Sequence, residues 1–209
     1  MTRARDIGLT SILLLLYLGL RLHHLLALPL FIDETLHAER AVSVWQGSPL
    51  WFGANGKLLG AWWIALFDPF PAQPWLLRAS ILLLTLLGAA AAMTLARRLY
   101  GPAAALLAGL LICFAPMLFF FDRMSLADTT LHPLLTLFVL SLFWLLDDGP
   151  LRRWRAILSG VLLAAAILAK ATAITITPLP LLAVWILARG WRTADRLKAL
   201  GWLFGTVLI

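Results

Sequence analysis

The chain has 209 residues, of which 62% are hydrophobic and only 13% charged, and its formal net charge is +7; its mean hydropathy is +0.93. A soluble domain carries roughly a quarter of its residues as Asp, Glu, Lys and Arg, so this composition excludes a soluble enzyme or binding module. The basic excess does not mark a nucleic-acid binder either. Arg3, Arg5, Arg97, Arg98, Arg152, Arg153, Arg155, Arg189, Arg192, Arg196 and Lys198 fall between or beside hydrophobic runs, in loops that alternate along the chain. That alternation is the positive-inside signal and places the N-terminus in the cytoplasm.

The expected fold is all-α: a polytopic transmembrane helical bundle forming a single transmembrane domain over residues 1–209. A first span runs from about Ile7 to Leu28. Its N-terminal flank resembles a signal peptide, but no small-residue cleavage site follows, so it reads as an uncleaved helix. Arg21, His23 and His24 near its outer end can reach headgroups or an aqueous cavity. Pro29 to Pro74 forms a large first outer loop, too interrupted to span. Within it Ala38, Ala41, Val42 and Trp45 recur at helical spacing, while His37, Arg40, Ser43 and Gln46 point elsewhere, which marks an amphipathic surface helix.

The second span runs from about Trp75 to Ala96 and stops at Arg97-Arg98. Tyr100-Gly101-Pro102 turns into a third that continues to Phe121. Asp122 to Asp128 is a short outer loop, and a fourth span covers about Thr130 to Leu146, ending at Asp147-Asp148-Gly149-Pro150. Ala156 to Ala188 is too short for two spans of about twenty residues each, whereas one span would put Arg189, Arg192 and Arg196 outside. A shallow hairpin turned near Pro178 and Pro180 satisfies both constraints. The run from about Ala199 to Ile209 starts a seventh span that the chain does not complete, as in the N-terminal part of a longer protein. Cys113, the single cysteine, lies in a hydrophobic run and acts as an apolar filler. The tryptophans near span ends, such as Trp45, Trp51, Trp75, Trp154 and Trp191, suit aromatic belts.

The remaining ionisable residues sort to one side. Asp33, Glu34, His37, Glu39, Arg40, Lys57, Arg78, Asp122, Arg123, Asp128 and Lys170 all map to the outer half. At about 1.5 Å per residue from Trp154, Lys170 stands about 24 Å up, level with Asp33. Acids and bases gathered on one face suit a reaction on a lipid-borne substrate, whereas an ion pathway distributes them through the bilayer depth. Adjacent carboxylates at the mouth of a greasy helix, Asp33 and Glu34, form the expected catalytic centre. Asp33 also suits the N-cap of a helix beginning at Glu34, a role that would hold the same carboxylate rigid. Asp128 equally suits a cap, Arg123 a pairing with Asp122 or a lipid phosphate, and Lys57 a solvated loop. Lys170 in an apolar hairpin needs an anion beside it. Glu34-x-x-His37 has the spacing of a di-iron ligand pair, but no second copy exists; Asp33 and His37 at i and i+4 can still share one divalent ion.

Taken in order, these pieces resemble the N-terminal half of a C-type, polyprenyl-phosphate-dependent membrane glycosyltransferase, the superfamily of protein O-mannosyltransferases, lipid A aminoarabinose transferases and RgtA/B/C/D-like transferases. The resemblance is carried by Leu20-Arg21-Leu22, Asp33-Glu34 with His37 and Ala41, Leu77-Arg78, Leu95-Ala96-Arg97-Arg98-Leu99-Tyr100-Gly101, Arg123 to Asp128, and Leu168-Ala169-Lys170. Where the family often has a Lys-Pro-Pro-Leu-like segment, this chain has Lys57-Leu58-Leu59-Gly60.

The resemblance implies inverting transfer of a hexosyl or pentosyl group from a polyprenyl-phosphate sugar to a hydroxyl of a lipid, glycan or protein acceptor. It places the active site on the extracytoplasmic side of the plasma or inner membrane. It makes Asp33 the general base, with Glu34 and Asp128 positioning substrates or, in some relatives, holding a divalent metal such as Mg or Mn. His37 joins Asp128 in the positioning set. Independently, displacement at an anomeric carbon needs a carboxylate for the acceptor proton and cations for the leaving phosphate, for which Lys57, Arg123 and Lys170 are the candidates. The alternative is a transporter or lipid flippase subunit, which would show repeat symmetry and polar groups near the midplane.

Overall fold

The computed structural model describes residues 3–48, 57–67, 73–147 and 150–208. Among these the chain is all-helical: α1 (Arg3–Leu22), α2 (Ile32–Trp45), α3 (Leu58–Phe67), α4 (Pro74–Tyr100), α5 (Pro102–Phe114), α6 (Pro116–Phe121), α7 (Ala127–Leu145), α8 (Arg153–Ala169), a 3₁₀ segment (Ala171–Ile176), α9 (Pro178–Leu187) and α10 (Thr193–Val207). Two helices, α4 and α7, are long and apolar enough to cross a membrane. Trp51, Asn55, Gly56, Asp148, Gly149 and Ile209 lie outside the described residues.

Local chemistry sets the boundaries. Pro74 opens α4, where its missing N–H costs nothing, and Arg97 and Arg98 occupy the last turn. Gly101 then adopts φ 91°, a left-handed conformation that glycine reaches without strain, and Pro102 starts α5.

Small residues let the helices approach closely. A Cβ on Gly88 of α4 would lie 2.6 Å from the Pro133 Cβ of α7, and one on Gly160 of α8 would lie 2.4 Å from the Leu203 carbonyl oxygen of α10. Around these crossings α4 packs on α5 and α7, α7 on α8, and α8 on α10. Phe138, Leu142, Leu145, Ala156, Leu163 and Leu203 form the core where the last three meet.

Several elements differ from the sequence expectation. α1 stops at Leu22, and turns cover the rest of the expected first span. α3 is an additional short apolar helix that packs on α2 and α4. The expected third span is broken at Ala115, because Pro116 cannot donate to the Ile112 carbonyl and starts α6 afresh. In the expected hairpin the interruption falls at Lys170 and the 3₁₀ segment. Pro178 and Pro180 instead belong to the first turn of α9, where proline is tolerated.

The bundle has two polar ends. At one, Arg97 donates to Asp6 at 2.8 Å and Arg98 pairs with Asp147. At the other, the end of α1, the start of α2, the starts of α4 and α7, and the end of α8 converge through side-chain contacts.

Candidate active site

The second end holds the expected site residues, and its centre is Glu34. Glu34 is completely buried and occupies the third position of α2. Its Oε2 accepts from the Phe31 backbone N–H at 3.0 Å, half of a capping box. Arg78, near the start of α4, donates to both carboxylate oxygens, Nε to Oε1 at 3.0 Å and Nη2 to Oε2 at 2.7 Å. The Ser125 backbone N–H donates to Oε1 at 2.9 Å. The remaining Arg78 donors reach the carbonyls of Leu25 (2.8 Å), Leu28 (2.9 Å) and Pro29 (3.0 Å). One planar guanidinium thus clamps the α1–α2 turn, the α2 carboxylate and α4. Burial alone would raise the Glu34 carboxyl, but Arg78 and the Phe31 and Ser125 amides outweigh it and hold the group below its ordinary 4.5.

Asp33 has the opposite character. The helix starts two residues earlier than the sequence suggested, so Phe31 is the N-cap and Asp33 sits exposed in the first turn, where a carboxylate favours the helix dipole. Its carboxylate is therefore not engaged in capping. One turn on, His37 is buried beside Ala38 and Ala41, a correction to the expectation that it points away from the apolar face. Burial first, and then the charges of Arg40 and Lys57, push its pKa down to about 4 against the weaker pull of Asp33 and Glu34. His37 is therefore a neutral imidazole at physiological pH, with its buried Nδ1 lacking a hydrogen-bond partner.

Lys170 caps the C-terminus of α8 in extended conformation and donates to Asp128 Oδ1 at 2.5 Å. This is the anion that the sequence argument demanded for it. Asp128 is exposed, in the first turn of α7. Lys57 immediately precedes α3 and is half-buried; α3 packs on α2 and touches α7 and α8. Lys57 stands near enough to His37 for its charge to act on the imidazole.

Arg123 takes a different partner from those expected. It donates to the carbonyls of His23, at 2.8 Å, and His24, and lies over the Phe119 ring. Burial, then the charges of Arg78 and Arg21, lower its pKa. The acid on its N-terminal side, Asp122, pairs with Arg21. Arg21 is itself fully buried rather than turned towards headgroups.

A metal on Glu34 and Asp128 does not fit this arrangement. Both Glu34 oxygens are held by Arg78 and backbone amides, and Asp128 faces Lys170. Among the described residues no three His, Cys, Asp or Glu side chains stand together as a ligand set. Arg78 is the member that sequence reasoning placed on the right side without a role; the signal available was an arginine one turn into an apolar helix, which needs a buried acceptor set.

Apolar helices of spanning length, with acids and bases collected at one end, define the class: a helical membrane protein with a candidate reaction centre at one face. Residues 56–209 match the family described as dolichyl-phosphate-mannose-protein mannosyltransferase. The chain belongs to that family, which makes it a membrane glycosyltransferase of the C type. No curated protein and no solved structure matches the chain.

Proposed function

We propose that this protein transfers a sugar from a polyprenyl-phosphate donor to an acceptor hydroxyl on the extracytoplasmic face of the cell membrane, with inversion at the anomeric carbon. The chain is multi-pass with its N-terminus in the cytoplasm, so the Arg97–Asp6 end faces inward and the Glu34 end outward; the arginine distribution supports this orientation. The observation that carries the reading is the pairing of two carboxylates with opposite environments on one helical turn. Glu34 is buried and fully bonded, while Asp33 is exposed and at hand for a substrate.

In this reading Asp33 takes the proton of the attacking hydroxyl. Arg78 and Glu34 fix the helix that presents it, and neutral His37 beside it accepts or donates a hydrogen bond to the incoming substrate. Lys170 exchanges Asp128 for the donor phosphate and, with Lys57, stabilises the negative charge on the departing lipid phosphate. Arg123 frames the loop and contributes its positive field. An apolar groove of about 110 Å³ between α7 and α9, lined by Val139, Leu142, Phe143, Leu179 and Leu187, suits part of the isoprenoid tail.

The test is transfer of labelled sugar from synthetic polyprenyl-phosphate donors by the full-length protein in proteoliposomes. Asp33→Asn is expected to abolish transfer with expression and melting behaviour intact. Wild-type turnover in that variant would remove Asp33 from the mechanism.

A further inference from the structure

The segment between α6 and α7 carries Arg123 and leads into Asp128 in the first turn of α7, and a further acid, Asp122, anchors its start. Asp122 begins the loop and is almost fully buried. Its Oδ2 accepts from the Tyr17 hydroxyl at 2.8 Å and from Arg21 Nε at 3.2 Å. The same Arg21 donates to the Ile112 carbonyl at 2.7 Å and the Cys113 carbonyl at 3.1 Å. Ile112 is the acceptor that Pro116 cannot serve, so Arg21 ties α1 to both the helix break and the loop. Arg21 also lies over the Tyr17 ring at 3.9 Å.

The second carboxylate oxygen has no hydrogen-bond partner. It faces His132 Nε2 at 3.6 Å, and both side chains line a cavity of about 180 Å³ together with Thr85 and Thr136. His132 stands one turn beyond Asp128 on α7. Polar contacts therefore run from Tyr17 and Arg21 through Asp122 to His132 on α7, and the same helix carries Asp128, the partner of Lys170, one turn earlier. On the other side of the loop, Ser125 N–H is fixed by Glu34.

We propose that Asp122 is a positioning residue for sugar transfer, gripping α1 with one oxygen and facing α7 with the other, so that Asp128 and Lys170 meet in the geometry the donor phosphate requires. This rests on the function proposed above. The segment 122–126 that joins α6 to α7 has little slack, so a shift at its first residue passes directly to the first turn of α7. Displacements of about 1 Å in substrate-positioning groups cost about a hundredfold in rate.

Two measurements on the full-length protein in proteoliposomes test this. Asp122→Asn is expected to lower kcat/KM for a synthetic polyprenyl-phosphate sugar at least tenfold, with the acceptor KM unchanged. The same substitution is expected to cost little further in a Lys170→Gln background, because it acts through that pair. Wild-type kinetics in Asp122→Asn, or a loss that multiplies fully with that of Lys170→Gln, would overturn the proposal.

The second measurement does not need turnover. With Asp128→Cys and Lys170→Cys installed, a short thiol cross-linker is expected to join them efficiently, and Asp122→Asn to reduce the yield several-fold. An unchanged yield overturns the positioning role, whereas a reduced yield, found where the protein without the two cysteines transfers no sugar, overturns only the function proposed above. If Asp122→Asn does not fold, Tyr17→Phe removes one of the two donors that hold Asp122 Oδ2 and leaves Arg21 on its carbonyls. That variant is expected to fold and to cross-link poorly, and normal cross-linking in it overturns the proposal.

Discussion

Replacing Glu34 by Gln should cost far more stability than a one-atom change suggests. The carboxylate receives Arg78 Nε and Nη2 and the N–H groups of Phe31 and Ser125. An amide offers one oxygen to these donors and sets its own NH₂ against the rest, while the Arg78 charge stays buried without a counter-ion. Breaking a buried pair in this way costs about 3–5 kcal/mol. At roughly 2–4 °C per kcal/mol for a chain of this size, melting should fall by about 6–20 °C. The assay is thermal unfolding of the purified protein in nanodiscs, followed by intrinsic tryptophan fluorescence. The pH dependence has a fixed sign as well. The folded carboxyl sits below the 4.5 it has when unfolded, so its contribution is complete above about pH 4.5 and is lost as pH falls through the folded value. A Glu34→Gln protein that melts within 2 °C of wild type, or that keeps the wild-type acid slope, would refute the clamp.

His37 should produce a second acid effect. Its pKa of about 4, against 6.5 unfolded, means that stability declines from near pH 6.5 down to about pH 4 as the unfolded chain takes up the proton, by roughly 3 kcal/mol in total. His37→Phe should flatten that part of the melting-versus-pH curve. Gly88→Val should lose at least about 1–3 kcal/mol, because its Cβ would strike Pro133 at 2.6 Å and the proline ring cannot turn aside; thermal unfolding reads it directly. Lys170→Gln should raise the donor KM tenfold or more while leaving the acceptor KM unchanged, as measured by labelled-sugar transfer.

The helices α4 and α7 were legible because their hydropathy runs are long and are followed by charged residues, Arg97-Arg98 at the end of α4 and Asp147 just after α7. The pairing of Lys170 with an anion was legible as a requirement, since an ammonium in an apolar segment needs one, although its identity as Asp128 depends on how α7 meets α8. The start of α2 was misplaced by the strong capping preference of Asp. Phe31 caps it instead, because Glu34 reaches back to its N–H and tertiary contact with Arg78 decides where that glutamate lies. Arg78 and Glu34 are far apart in sequence, and nothing in either local pattern states that they meet. The break at Ala115 had a visible proline, but the apolar run through it is continuous, so composition alone favoured an unbroken span. Only the donor that covers the bare carbonyls makes the break tolerable, and that donor belongs to α1.

That dependence makes one side chain of α1 a structural part of residues 102–121. Two peptide oxygens stripped of their cover would each carry a desolvation cost, and the guanidinium of Arg21 removes it for the Ile112 and Cys113 carbonyls. Arg21→Met should therefore lower the melting temperature through two attachments at once, the bared carbonyls of the break and the start of the 122–126 segment.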